Sequence, residues 1–362
     1  LGFVIFLKAI VALIAQPLMG DVVDKTRYKR EFAVGSNVVV SLTGLSFVVF
    51  LVYEWVMVAL VLQGIALTIM IPALYSLTLG TVGRESLHSQ TAQNEYYSHI
   101  GTAIYALIAG GCSLYGDINW VYYAVALMGA VCCGLALSIR PEAIDADGAR
   151  GLHTDDRGVQ AAPKEYNQIF RDYRVVVFLS TILLFHLSNA AMLPLLSQLQ
   201  SKGNFEAGIM ITAVNIILSQ VTQAVVALMV GEKVKHYGSK VLFTGALFIL
   251  PIRGLIIVCV LRYSSDATST YMLTATQLLD GVSHGVYSVV HVLITESLMQ
   301  GTGRFSLLLG AAQTGHYVGD AISNLFGEYV AGRYGYLAAF QALGAISVVP
   351  VLVFSVFMPS DR

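Results

Sequence analysis

Charge is scarce in this sequence: Asp, Glu, Lys and Arg make up 12% of its 362 residues, about half of the ~25% that a soluble domain carries. A surface so poor in charge is not solvated well, which argues against a soluble globular enzyme. An excess of either sign is missing too. With 21 basic against 22 acidic side chains the net charge is -1, so there is no basic face for phosphates and no nucleic-acid partner is expected. Cysteine is limited to Cys112, Cys132, Cys133 and Cys259. All four lie in apolar runs without metal-ligand spacing, which excludes a disulfide framework or a zinc site. No Walker loop, HExxH or GxSxG constellation is present, so neither ATP-driven nor hydrolytic chemistry is indicated. We expect a non-enzyme with no cofactor and no metal.

What the sequence has is length in its apolar runs. An α-helix needs about 20 apolar residues to cross a bilayer core, and eleven such runs can be counted. They lie at 1–23, 32–53, 55–79, 94–115, 119–139, 175–199, 205–230, 239–261, 269–295, 304–327 and 336–358. Backbone polar groups must pair internally in hydrocarbon, so the runs predict helices, and the fold class is an all-α polytopic membrane bundle. Sixteen of the 21 basic residues, among them Lys25, Arg27, Arg84, Arg140, Lys233 and Arg304, fall on one side if the first loop is cytoplasmic. The positive-inside rule then puts the C-terminus in the cytoplasm of a plasma or inner membrane. Residues 140–174 are polar and charged, and read as a flexible cytoplasmic linker with a short amphipathic stretch at Tyr166–Phe170. The linker divides an N-terminal half, 1–139, from a C-terminal half, 175–362.

The halves share a motif. Gly20, Asp24, Lys25, Arg27, Lys29 and Arg30 are assigned to the loop at the end of the first run, and Gly231, Lys235, Gly238 and Lys240 to the loop after the seventh. This repeat resembles the cytoplasmic signature of the major facilitator superfamily, which recurs between the second and third helices of each six-helix half. Gln16-Pro17, Asn94-Glu95 with His99, Phe185-His186 with Asn189, Leu250-Pro251 with Arg253-Gly254, Leu279-Asp280-Gly281 and Gly301-Thr302-Gly303-Arg304-Phe305 are similar to a sparsely characterised bacterial and fungal branch. Two departures stand out: Arg27 where the signature has glycine, and Lys235 where the second copy often has an acid. The resemblance implies two pseudo-repeated halves that alternate access to a midplane site, and a gate at Asp24. It also implies twelve helices, so the sequence is expected to lack the first. No signal peptide is read at the start.

Ionisable groups inside the spans are costly, about 2.5–3.5 kcal/mol each, and are therefore functional candidates. Gln277, Asp280, His284 and His291 share one helical face of the ninth run, and Gln313, His316, Asp320 and Asn324 repeat the pattern on the tenth. Asp280, His316 and Arg253 fall near mid-helix and are expected to meet in one cavity. One reading makes Asp280 and Arg253 a pair that opens and closes with substrate or proton, with His284 or His316 titrating beside it. The alternative is a permanent pair that holds helices together. His186, Asn189, Gln63, Asn215, Gln220 and Gln223 suit a cavity wall, or interhelical packing. His284 and His291 stand about 10 Å apart, too far to share an ion. Lys8 is expected to snorkel to the interface, and Tyr53, Trp55, Trp120 and Tyr122 to anchor it. The expected function is a monomeric secondary transporter exporting a small organic solute with protons. Its rivals are a non-transporting receptor or scaffold, and an inactive truncated form.

Overall fold

The computed structural model describes residues 2–117, 119–152, 163–201, 205–264 and 266–359, with side chains outside 2–12, 14, 113–115, 205–207 and 266–268. The snorkelling of Lys8 and the middle of the linker lie outside the described residues. Thirteen α-helices follow in order: α1 (Gly2–Lys25), α2 (Lys29–Ser46), α3 (Tyr53–Tyr115), α4 (Asn119–Leu137), α5 (Tyr166–Phe170), α6 (Tyr173–Asn189), α7 (Met192–Gln200), α8 (Phe205–Tyr237), α9 (Ser239–Tyr263), α10 (Asp266–Met299), α11 (Phe305–Tyr334), α12 (Tyr336–Ile346) and α13 (Val348–Phe357). Every apolar run read from the sequence is helical. The third and fourth runs join in α3 across a kink at Gly83, whose φ of 69° is accessible to glycine and costly to other residues. The sixth and eleventh runs are each broken, after Asn189 and at Ser347.

Among the described residues seven helical segments are long and apolar enough to cross a membrane, rather than eleven. One of them, Tyr53–Cys112, carries two of the expected runs. The first run lies mostly outside the residues whose side chains are described, and polarity accounts for two others. α2 opens on Lys29-Arg30-Glu31, and α11 carries Gln313, His316, Asp320, Asn324 and Glu328. The signature residues also stand differently from the sequence reading, which placed them in loops. Gly20 and Asp24 ride on α1, and Gly231 and Lys235 on α8; Arg27 lies in the bend before α2, and Gly238, with a φ of 76°, in the turn before α9.

The chain forms two compact units: residues 1–87, 115–171 and 294–317, and residues 88–114, 172–293 and 318–362. In the first, α2 packs along α4. A Cβ on Gly129 would lie 1.9 Å from Ser41 Oγ, so glycine sets that close approach. In the second, Met192, Leu195, Ile257, Leu273, Phe340 and Leu343 form a dry core, and Gly254 presses on Gly344. Leu127, Leu135, Leu255, Leu352 and Val356 are more than half exposed. Exposed apolar side chains of this size would be a liability in water and are the natural surface in lipid. Trp120 and Tyr53 are exposed as interfacial anchors should be, whereas Trp55 donates to Ser46 Oγ at 2.8 Å.

Where it is described, the linker is docked in the first unit, which revises the expectation of a free tether. Asp145 N donates to Gly80 O at 2.9 Å, Ser76 Oγ to Ala149 O at 2.7 Å, and Gly301 N to Gly151 O at 2.6 Å. Farther along, Lys164 N donates to Thr302 O at 3.0 Å, and α5 forms where the amphipathic stretch was read. Ala149, Leu152 and Ile169 are buried, so a few apolar residues hold down an otherwise polar strap. Gly80 makes room for it: a Cβ there would stand 2.7 Å from Ala149 Cβ and 2.8 Å from Asp145 O. Gly80→Val is expected to cost about 1–3 kcal/mol by overpacking. Backbone hydrogen exchange over 145–152 should then accelerate roughly five- to hundredfold; unchanged exchange would mean that the strap is not seated on Gly80.

Candidate functional site

The second unit gathers four of the sequence-predicted polar residues around the carboxylate of a fifth, Asp280. Arg253 comes from α9, two residues after Pro251 within the same helix. Asn189 ends α6, and Gln277, Asp280 and His284 share a face of α10. Gly281 and Gly285 let α8 approach α10: added Cβ atoms would lie 2.4 Å from Thr222 Cβ and 2.8 Å from Gln223 O. This small-residue seam brings Ser219 of α8 to the site.

Arg253 Nη1 donates to Asp280 Oδ1 at 2.6 Å and to Asn189 Oδ1 at 2.7 Å, and Nη2 to Gln277 Oε1 at 3.3 Å. Asn189 Nδ2 donates to Asp280 Oδ1 at 3.0 Å, and Ser219 Oγ to Asp280 Oδ2 at 2.7 Å. Gln223 Nε2 supports Ser219 Oγ at 2.9 Å. His284 Nδ1 stands 3.4 Å from Asp280 Oδ1. Both carboxylate oxygens thus accept, and the guanidinium is fully buried at 0% exposure. A charge pair removed from water this completely is held by its hydrogen bonds as much as by Coulomb attraction.

A second pair lies in the same unit. His186 Nδ1 and Asp320 Oδ1 are 3.0 Å apart, where Gly319 lets α11 touch α6 at Leu183 and His186. Aromatic rings link the two pairs: Phe185 stacks on Tyr287 at 4.7 Å, and His284 meets the Phe185 edge at 5.0 Å. His291, placed by sequence on the Asp280 stripe, instead stacks on Tyr287 at 4.9 Å, and its Nδ1 lies 2.9 Å from Tyr287 O on its own helix. His99 Nδ1 meets Gln220 Oε1 at 2.9 Å, and His99 Nε2 lies 3.7 Å from Glu95. Gln313 and His316 fall in the first unit, and the hydrogen bonds just described at Asp280 involve neither of them.

The first unit holds the signature. Asp24, fully buried, accepts from Ser306 N and Leu307 N, both at 2.9 Å, so a carboxylate of α1 caps the first turn of α11. Burial raises its pKa to about 7, against the pull of those two bonds and of Lys29. Lys29, also fully buried, donates to Val23 O at 2.8 Å and Thr26 O at 3.1 Å and so caps the end of α1. Burial lowers its pKa to about 8. Arg30 Nη1 donates to Ile139 O at 2.7 Å. Lys29 and Arg30 therefore do more than supply topogenic charge. Asp21 pairs with Arg304 and, at 2.5 Å, with Lys25. The Arg304 guanidinium covers Tyr166 at 4.6 Å. Arg27 is exposed. In the second unit Gly231 packs on His88 and Ala92, and Lys240 lines a cleft with Tyr173 and Arg174.

Ser219, Asp21, Glu296 and Tyr166 were not singled out individually from sequence. One signal was available: Gly83-Arg84-Glu85-Ser86-Leu87 and Gly303-Arg304-Phe305-Ser306-Leu307 are copies of one motif. Both glycines are left-handed, with φ of 69° and 68°. Both arginines form ion pairs, Arg84 with Glu296 at 3.1 Å and Arg304 with Asp21.

Known proteins agree with this architecture. Two uncharacterised MFS-type transporters of Mycobacterium tuberculosis strains are each 32% identical over 359 residues, covering 99% of this chain and 84% of the relative. The human organic anion transporter MFSD10 (TETRAN) superposes with a TM-score of 0.71 at 15% identity, covering 98% of this chain and 83% of that one. A bacterial homologue of the iron transporter ferroportin, in an outward-facing state, gives 0.70 at 16% identity, covering 98% and 89%. Residues 1–258 match the Major Facilitator Superfamily itself. The chain is therefore a multi-pass integral membrane protein that belongs to the major facilitator superfamily, a family of transporters that are generally not enzymes.

Proposed function

We propose that this transporter exports a small organic solute in exchange for protons, by rocking two pseudo-repeated halves, 1–139 and 175–362, about a midplane site. The observation that carries the reading is the buried Arg253–Asp280 pair, bonded to Asn189 and flanked by Gln277, Ser219 and His284. A pair of this kind is expensive to bury and useful where it is made and broken in a cycle. His186 and Asp320 form a second titratable pair for the proton path, and Gln313 and His316 extend the polar stripe on α11. At the cytoplasmic end, Asp24 capping α11 and Asp21 pairing with Arg304 hold the gate shut. Gly20 lets α1 reach α11; Lys25, Arg27, Lys29 and Arg30, with Gly231, Gly238 and Lys240 of the second copy, complete the gating elements. The acting form is a monomer in the cytoplasmic membrane with its C-terminus inside.

The test is flux of a metabolite and drug panel in proteoliposomes with and without an imposed pH gradient. Uphill movement of a solute only with the gradient is expected. Flux indifferent to the gradient would refute proton coupling, and reversal of the required gradient would refute export.

A further inference from the structure

The Asp280 network leaves two buried donors without a protein acceptor. Arg253 Nε and Gln277 Nε2 reach none, and both side chains are 0% exposed. A buried donor left unsatisfied costs about 1–3 kcal/mol, and more when charged. Two on neighbouring side chains mark a place where the protein itself supplies no acceptor, and their arrangement has a direction. Arg253 Nη1 is committed to Asp280 and Asn189, and Nη2 holds Gln277 Oε1 at 3.3 Å. Nε is left open, and beside it Nη2 holds only that one long bond, so the Nε–Nη2 edge is the side-on fork that can still meet the two oxygens of a carboxylate. Gln277 Nε2 adds a third donor on the side chain that Nη2 orients.

We propose that the Nε–Nη2 edge of Arg253, with Gln277 Nε2, is the recognition point for the carboxylate of an organic acid. The inference deepens the transport reading and rests on it. Donors alone face the ligand, so an amine gains nothing there, and a primary amide offers one oxygen where the fork takes two. Charge sets the valence. Asp280 already balances Arg253, so each negative charge brought in by the ligand stands uncompensated in a low-dielectric span unless a proton enters with it. The groups that face Asp280 are Arg253 from α9, Asn189 from α6, Ser219 from α8 and His284 from its own helix. Asp280 and His284 are the proton acceptors among these, which favours a monocarboxylate taken with one proton over a phosphate or dicarboxylate head.

Thermal shifts of the purified full chain in detergent test this with acetate, benzoate and succinate against acetamide, benzamide and benzylamine. Benzoate is expected to stabilise the protein more at pH 6 than at pH 8, and benzamide and benzylamine not at all. Gln277→Leu keeps the Arg253–Asp280 pair and should weaken benzoate binding at least tenfold. Arg253→Lys keeps the charge, loses the fork, and should do the same. Equal stabilisation by amides, no stabilisation by any acid of the panel, or unaltered benzoate binding by Gln277→Leu would each overturn the proposal. Failure of the broader reading looks different: acids would bind while no solute crossed proteoliposomes. Gradient-driven flux of a non-acid, lost in Asp280→Asn, would instead uphold transport and reject the carboxylate.

Discussion

Asp280→Ala is expected to abolish transport and to destabilise the protein by about 3–5 kcal/mol, because Arg253 would remain buried without a counter-charge. Asn189 Oδ1, 2.7 Å from Nη1, cannot neutralise it. Asp280→Asn should fold better than the alanine variant, since an amide oxygen can still take the bonds from Asn189 or Ser219. The double variant Asp280→Asn, Arg253→Gln removes both charges and should recover most of the lost melting temperature without recovering flux. That contrast separates the two roles of the pair. A purely structural bridge predicts that transport returns with stability; a coupling site predicts that it does not. Retained flux with an unchanged pH profile in Asp280→Asn would remove Asp280 from the mechanism.

The helices were legible because hydrophobicity over about 20 residues is a long signal, and every run read from it is helical. Where the reading missed, a single residue or a tertiary contact decided. One glycine torsion at Gly83 joins two runs into α3, and helices α1 and α8 carry their charged signatures past the apolar stretch, where Gly20 and Gly231 pack on other helices. The strap looked unstructured because composition averages over its polar residues, while its docking rests on Ala149, Leu152 and Ile169 and on space beside Gly80. At the site, helical spacing correctly grouped Gln277, Asp280 and His284, since one face of one helix is a local property. It failed for His291, whose ring turned to Tyr287. It also passed over Ser219, whose approach depends on Gly281 and Gly285 of a different helix.

Gly20→Val should release the α1–α11 contact altogether, with α11's first amides exchanging at least about a hundredfold faster. A Cβ at Gly20 would lie 2.3 Å from Ser306 O and 3.1 Å from Leu307 Cα, which are backbone atoms that cannot step aside. Moving α1 away also takes Asp24 from Ser306 N and Leu307 N, two bonds to a charged acceptor worth roughly 1.5–3 kcal/mol each. Asp24→Asn isolates the electrostatic part. Burial raises the Asp24 pKa to about 7, against about 3.9 in the unfolded chain. Its contribution to stability is therefore complete below about pH 4 and is lost as pH rises through about 7. The full difference is of order 4 kcal/mol. Lys29 moves in a separate window: its pKa falls to about 8 from 10.5, so its contribution is complete above that upper value and lost as pH drops through about 8. Between pH 5 and pH 7.5 Asp24 dominates, and the wild-type melting temperature should decline relative to Asp24→Asn; parallel curves would acquit Asp24.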